Sequence, residues 1–205
     1  MQTSNPAPGD NSELFQFDID YFKDQTFERL DFRNRNISGI EFYKCSFIAC
    51  LFAKSKFNNC IIEKCEFRNC DMSVAEFKDS SFLDVVFNDC KLIGTDWTHL
   101  RKPMRINFSK CILNDSTFYK MDLRSSELTG CTARNVDFEE VNLSKANCSN
   151  TDFLDAKFNG ANLSAADFTG AVNYTINPNN TNIRKAKFSQ PEALHLLDSW
   201  EIIIE

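Results

Sequence analysis

The residues of this chain that could carry out chemistry are nine cysteines, two histidines and 29 acidic residues. Cysteine and histidine act as nucleophiles, bases or metal ligands only when partners lie at suitable spacing. The sequence contains no CxxC pair, and neither His99 nor His195 has an evident partner. We therefore expect no catalytic residue, no metal site and no cofactor, and a protein that is not an enzyme. The cysteines are expected to be small buried thiols of a cytoplasmic protein.

Large apolar residues recur at every fifth position over most of the chain. One run extends from Phe17 to Trp97 and a second from Phe108 to Phe168, and 18 of the 20 Phe lie on these positions. The position two residues earlier is usually small, so each unit buries one large and one small side chain on the same side of an extended segment. A period of five fits neither a helix nor a flat strand. It predicts a solenoid whose sides are five residues long.

Glycines and cysteines follow the same period. Gly39, Gly94, Gly130 and other glycines stand two residues after the large position, where a corner between two sides favours unusual φ angles. Eight of the nine cysteines occupy the small inward position. Stacked neighbours would lie ~4.8 Å apart, which is wider than the Cβ separation of a disulfide.

The pattern resembles the pentapeptide repeat family, whose loose consensus A(D/N)Lxx is matched by residues 161–165 (ANLSA) and 166–170 (ADFTG). The resemblance implies an all-β solenoid, a right-handed quadrilateral β-helix with about 20 residues per coil. We expect a short C-terminal helix and a strand-like tail after it. The predicted division is a flexible N-terminal segment (1–13), a first β-helix segment (14–97), a break (98–107), a second β-helix segment (108–188), and a C-terminal helix with a dimerisation tail (189–205).

The break shifts the repeat by one residue, because Trp97 and Phe108 are eleven positions apart. It carries three positive charges and no negative one, and Pro103 cannot donate a ladder hydrogen bond, so we expect an outward bulge. The segment is either a tolerated kink between two rod segments or a loop that contacts a partner. The residues predicted for such a contact are His99, Arg101, Lys102, Pro103, Met104 and Arg105.

The C-terminus departs from the repeat in a second way. Residues 189–192 (SQPE) have a capping-box arrangement, and Ala193, Leu194 and Leu197 predict a short amphipathic helix before an EIIIE tail. An open solenoid end needs a cap or a partner. We favour a two-fold homodimer through this end over capping within one chain. The predicted interface residues are Leu194, Leu197, Trp200, Ile202, Ile203 and Ile204.

Acidic residues recur just before the large position. They form either an ordinary solvated surface or an imitation of DNA for a DNA-binding partner. The net charge of −6 is far below that of a duplex of equal length, which carries one charge per ~1.7 Å. The predicted acidic rod surface consists of Asp31, Glu41, Glu66, Asp71, Glu76, Asp96, Asp122, Glu127, Asp137, Asp152 and Asp167.

A narrower resemblance is to the Qnr-type gyrase-protecting proteins, which include albicidin-resistance proteins. It is carried by residues 96–98 (DWT), 111–116 (CILNDS), 171–174 (AVNY) and 186–193 (AKFSQPEA). The resemblance implies a dimeric rod that engages DNA gyrase or topoisomerase IV and relieves poisoning by quinolones or albicidin, through an acidic, partly DNA-like surface. The net charge of −6 argues against direct binding of nucleic acid, and no apolar run approaches the roughly 18 residues that a membrane span needs, so no membrane contact is expected. The alternative is a pentapeptide-repeat scaffold that binds another protein without a gyrase role.

Overall fold

The computed structural model describes residues 20–200. The predicted N-terminal segment 1–13 and the tail residues Ile202, Ile203 and Ile204 lie outside the described residues. Within them the chain forms a β-solenoid of about eight turns, as predicted. Tyr21 pairs with Glu41 and Glu41 pairs with Ile61, so stacked positions lie four repeats apart in the sequence. Each coil therefore has four sides, and each side is one repeat long.

All strands are short and pair in parallel with the coil above and below, because each side of the solenoid is only five residues long. The strands are β1 (Tyr21–Lys23), β2 (Thr26–Glu28), β3 (Asn36–Ser38), β4 (Glu41–Tyr43), β5 (Ser46–Ile48), β6 (Lys56–Asn58), β7 (Ile61–Glu63), β8 (Glu66–Arg68), β9 (Ser81–Leu83), β10 (Val85–Asn88), β11 (Ile106–Ser109), β12 (Leu128–Thr129), β13 (Asp167–Phe168) and β14 (Lys187–Phe188).

The coils stack into four faces. Face 1 holds β1, β4, β7 and β9 and resumes with the bridge Asp122↔Asn142. Face 2 holds β2, β5, β8 and β10–β14. Face 3 is built from single bridges, from Asp31↔Leu51 to Asp152↔Val172. Face 4 holds β3 and β6 and continues to Asp137↔Lys157.

The core consists of columns of large side chains, one column behind each face. On face 2, the rings of Phe27, Phe47, Phe67 and Phe87 stack with centroids 5.0, 4.6 and 4.9 Å apart. Phe67 and Phe87 are fully buried. Because the repeat places a large residue at the same point of every coil, the core is continuous along the rod.

The corners require a left-handed backbone. Among the described residues, positive φ occurs at 25 non-glycine residues and at five glycines, nearly all of them two residues after a large inward residue. The prediction from the glycine positions is confirmed, but most corners use another residue. Asp24, Asn34 and Lys44 are examples, with φ of 51°, 59° and 53°.

The break contains a one-residue insertion that stays largely within the wall of the rod. Glu66 pairs with Val86 at a separation of 20, whereas Val86 pairs with Asn107 at a separation of 21. The Arg101 amide donates to the Ser80 carbonyl at 2.8 Å and the Arg105 amide to the Phe82 carbonyl at 3.1 Å. Residues 102–104 lie between these two bonds and take up the extra length.

The predicted outward bulge of the break is therefore limited to residues 102–104. Leu100 is 7% exposed and Ile106 is fully buried, so each of them occupies the inward position that is usually small in the other repeats. Met104 also packs against the core. The rest of 98–107 stays within the wall of the rod because Leu100 and Ile106 bury their side chains in the core.

A 3₁₀ helix, Glu192–Trp200, follows the last coil. Leu196 packs against the core, and the Trp200 indole Nε1–H donates to Asn179 Oδ1 at 3.3 Å. The predicted helix is present, and within this chain its inward residue is Leu196. Across residues 20–200, no helix has the length and apolar character that a membrane crossing requires.

Candidate interaction surfaces

The cysteines are buried structural thiols. All nine are free and buried. The Cys65 thiol donates to the Phe42 carbonyl at 3.4 Å, and Cys90 makes the matching bond to Phe67. Burial raises the pKa of the Cys60 and Cys148 thiols. Within residues 20–200, no group of three or more cysteine, histidine or acidic side chains could hold a metal ion.

Both histidines have an acidic neighbour that the sequence did not reveal. His99 Nδ1 lies 3.2 Å from Asp96 Oδ2, and His195 Nδ1 lies 3.1 Å from Asp198 Oδ2. In each pair the residues are three positions apart at a turn or in the helix, which brings the side chains together. The two pairs are exposed on the surface.

The eleven predicted acidic residues lie on all four faces and do not form one surface. Since stacked positions lie four repeats apart, face 1 carries two of them, and each of the other faces carries three. Six form ion pairs with Lys or Arg, including Arg33 with Asp31 and Arg124 with Asp122, each at 2.6 Å. The remaining pairs are Lys56 with Glu76, Arg68 with Glu66, Arg134 with Asp152 and Lys187 with Asp167.

Ion pairing lowers the pKa of several of these carboxyl groups. The hydrogen bond from Arg124 holds the pKa of Asp122 below its ordinary value, and Arg68 does the same to the pKa of Glu66. Both carboxylates therefore stay charged and neutralised by a neighbouring cation at neutral pH.

The rod itself is nearly neutral. All 23 Lys and Arg and 22 of the 29 Asp and Glu lie within residues 20–188, so the negative charge of the chain comes from its two ends. The expectation of an acidic, partly DNA-like rod is not supported by this distribution, because DNA carries unbroken negative charge along its length.

Positive charge is concentrated on the C-terminal half of face 1. The stacked segments 101–105, 121–125, 141–145, 161–165 and 181–185 contain seven cations and one acid, Asp122. We call these cations the basic strip. All are exposed. The strip consists of Arg101, Lys102, Arg105, Arg124, Lys145, Arg184 and Lys185.

A surface groove lies where the break interrupts the ladder of face 1. β9 is the last strand of its sheet, and the ladder resumes only with Asp122↔Asn142. The groove has a volume of about 600 Å³. Its lining combines apolar and cationic side chains, and consists of Lys102, Pro103, Met104, Arg105, Asp122, Arg124 and Ser126.

The residues predicted for a partner contact and for a dimer are placed differently by the structure. In the break, Met104 is half-buried between the core and the groove, whereas His99, Arg101, Lys102, Pro103 and Arg105 are exposed. At the C-terminus, Leu194 is 46% exposed and Trp200 is 51% exposed, while Leu197 is half-buried. The sequence reasoning missed the strip residues Arg124, Lys145, Arg184 and Lys185, because it did not group the charged residues by the face on which a coil of about 20 residues places them.

The pentapeptide repeat region is the family model that matches this chain, at residues 40–101 and 102–188. The two matches meet inside the break and together cover more than half of the chain. The chain belongs to the pentapeptide repeat family, and the predicted right-handed quadrilateral β-helix is confirmed.

Solved structures share this fold at low sequence identity. A trypsin-treated form of QnrB1, described as a plasmid-mediated fluoroquinolone resistance protein, is 19% identical, with a TM-score of 0.70 over 91% of this chain and 98% of that chain. Full-length QnrB1 is 16% identical, with a TM-score of 0.54 over 89% of this chain and 100% of that chain. HetL from the cyanobacterium Nostoc sp. strain PCC 7120 is 13% identical, with a TM-score of 0.52 over 82% and 87%. No curated protein matches the chain in sequence.

Proposed function

We propose that this chain is a non-enzymatic binding protein that engages DNA gyrase, or the related topoisomerase IV, and protects the enzyme from poisoning by quinolones or albicidin. The observation that carries the proposal is the likeness to QnrB1, which extends over 91% of this chain and 98% of that one. A solenoid presents a long continuous surface, and such surfaces serve in binding partners.

We place the specific contact at the break. His99, Arg101 and Arg105 are exposed there, on a segment held to the coil below through Ser80 and Phe82. A rigid support lowers the conformational entropy that a contact loop loses on binding. Imitation of DNA by charge is not part of the proposal, because the rod is nearly neutral.

The test is a supercoiling assay with purified DNA gyrase, a quinolone or albicidin, and increasing amounts of this protein. We expect the protein to restore supercoiling in the presence of the drug. In the absence of the drug we expect it to leave the supercoiling activity of gyrase unchanged. Inhibition without rescue would retain the contact with gyrase but contradict protection. No effect on gyrase or on topoisomerase IV would contradict the proposal as a whole.

A pair of variants tests the position of the contact. Arg101→Ala with Arg105→Ala removes two exposed cations of the break, and Lys54→Ala with Lys91→Ala removes two exposed cations of face 3. We expect the first variant to need about tenfold more protein for the same rescue and the second to match the wild type. Equal rescue by both variants would place the contact elsewhere on the rod.

The second candidate function is a scaffold that binds another protein. It is favoured by the likeness to HetL, which is described as involved in the regulation of heterocyst differentiation. This function predicts stable capture of a protein other than a topoisomerase, without any effect in the supercoiling assay. Rescue of poisoned gyrase would decide against it.

A further inference from the structure

We infer that the basic strip is a docking surface for an acidic, extended peptide segment of a partner protein. The strip spans about 19 Å along the rod, since stacked strands lie ~4.8 Å apart. An extended segment of about six residues covers this length. The inference does not depend on the proposed topoisomerase partner, and purified protein with synthetic probes tests it.

The cations of the strip are largely available to a partner. Arg105 is paired with Asp84 and Arg124 with Asp122. Arg101 donates to the neutral amide oxygen of Asn59 at 2.9 Å. For Lys102, Lys145, Arg184 and Lys185, the described part of the chain provides no carboxylate at ion-pair distance. Surplus positive charge of this kind attracts a segment of opposite charge and orients it along the rod.

The middle of the strip offers hydrogen bonds as well as charge. Asn142, Asn162 and Asn182 stack in an amide ladder, with Nδ2–Oδ1 distances of 3.3 and 3.1 Å. Each Oδ1 of the ladder also accepts from a backbone N–H two residues on, and each amide donates one N–H to the side chain in the coil below. The second N–H of each amide can therefore donate to the backbone of a peptide chain while the cations contact the acidic side chains.

The groove adds an apolar contact at one end of the strip. Pro103 and Met104 line it beside Lys102, Arg105 and Arg124. A partner that fills it needs an apolar side chain close to carboxylates. A peptide that combines leucine or phenylalanine with glutamate meets both requirements.

The neighbouring face 4 does not continue the positive charge that a nucleic acid duplex needs. At the same level of the rod it carries Asp137, Glu139 and Glu140 beside Lys120 and Lys157, and Lys120 pairs with Glu140. The second line of phosphates of a duplex laid along the strip would therefore meet a face with no surplus of cations. A single acidic chain stays within face 1, where the surplus lies.

The experiment measures the fluorescence anisotropy of a labelled peptide of about 12 residues that contains mainly glutamate with some leucine, at about 50 mM salt. The same peptide with lysine in place of glutamate, an oligothymidylate and a short DNA duplex serve as further probes. We expect the glutamate peptide to bind, with an affinity that falls as salt rises, and the lysine peptide not to bind.

Two triple variants with equal change of charge test the location. Lys102→Glu, Lys145→Glu and Lys185→Glu reverse three of the seven charges of the strip, and Lys54→Glu, Lys91→Glu and Lys110→Glu reverse exposed lysines on faces 2 and 3. Both sets contain two corner residues with positive φ, so the backbone demands are matched. We expect the strip variant to weaken peptide binding by about tenfold or more and the control by less than about twofold.

Three results would overturn the inference. The first is absence of binding of the glutamate peptide to the wild-type protein. The second is an equal loss of affinity in the two variants, which would indicate attraction by overall charge. The third is tighter binding of oligothymidylate or of the duplex, which would make the strip a nucleic acid surface.

Discussion

The indole of Trp97 is buried in the core column of face 4. It stacks between Phe77 and Phe118, with ring centroids 5.1 and 5.8 Å away. Its Nε1–H has no hydrogen-bond partner among the described residues. A buried donor without a partner costs about 1–3 kcal/mol. Trp97 therefore fills the core with a large ring but carries an unpaired N–H, which a phenylalanine ring does not have.

We expect Trp97→Phe to change the free energy of unfolding by less than about 1 kcal/mol, because the lost contact area is offset by removal of the unpaired donor. Trp97→Ala is expected to lower it by about 3–5 kcal/mol. Urea unfolding followed by circular dichroism measures both. If Trp97→Phe lowered the free energy of unfolding as much as Trp97→Ala does, the indole would have to make a further stabilising interaction.

Val74 occupies a corner of face 3 with φ of 56° and is 51% exposed. A β-branched residue is rarely found in this left-handed region, whereas asparagine tolerates it. We expect Val74→Asn to raise the free energy of unfolding by about 1 kcal/mol. The matched control is Val86→Asn in strand β10, where no positive φ is present and no gain is expected. An equal effect in thermal unfolding of both variants would contradict the role of the corner.

At the scale of elements, the period of five determines which residues face inward. It predicted the large and small columns and the corners. It could not predict how the insertion in the break is absorbed, because the answer depends on hydrogen bonds from Arg101 and Arg105 to the preceding coil. For the same reason the sequence overestimated the outward bulge.

The cysteine column behind face 3 gives a prediction for stacked elements. Cys50, Cys70, Cys90, Cys111 and Cys131 follow one another up the rod, each 0–2% exposed. We expect none of the nine thiols to react with a thiol-specific reagent in the native protein within minutes, and all nine to react in urea. The physical reason is that the buried thiols are inaccessible to the reagent in the native protein. The measurement is mass spectrometry after timed alkylation, and rapid native labelling of this column would contradict it.

At the scale of the whole molecule, the C-terminal helix both caps the rod and exposes apolar surface. Leu196 covers the core, whereas Leu194 and Trp200 face outward. The homodimer predicted through this end remains a proposal. These two exposed side chains are the described residues that would take part in it.

We expect sedimentation analysis to show a dimer for the wild type and a monomer for the double variant Leu194→Glu and Trp200→Glu, because charges at a desolvated interface are costly. Ile61→Glu on face 1 is the matched control, since Ile61 is 40% exposed and lies in strand β7 in the N-terminal half of the rod. A wild-type monomer, or a dimer that survives the double variant, would contradict the proposed interface.

The sequence by itself determined the repeat, the inward residues and the family, because a large residue at every fifth position directly reports the sides of a solenoid. Only the tertiary structure decided how charge is distributed. A period of five is the same for any number of sides, and four sides were implied only by the family resemblance. The pairing of Tyr21 with Glu41 establishes four sides per coil and thereby which residues share a face. That coil length spreads the eleven acids over four faces and gathers cations as distant as Lys102 and Lys185 into one strip.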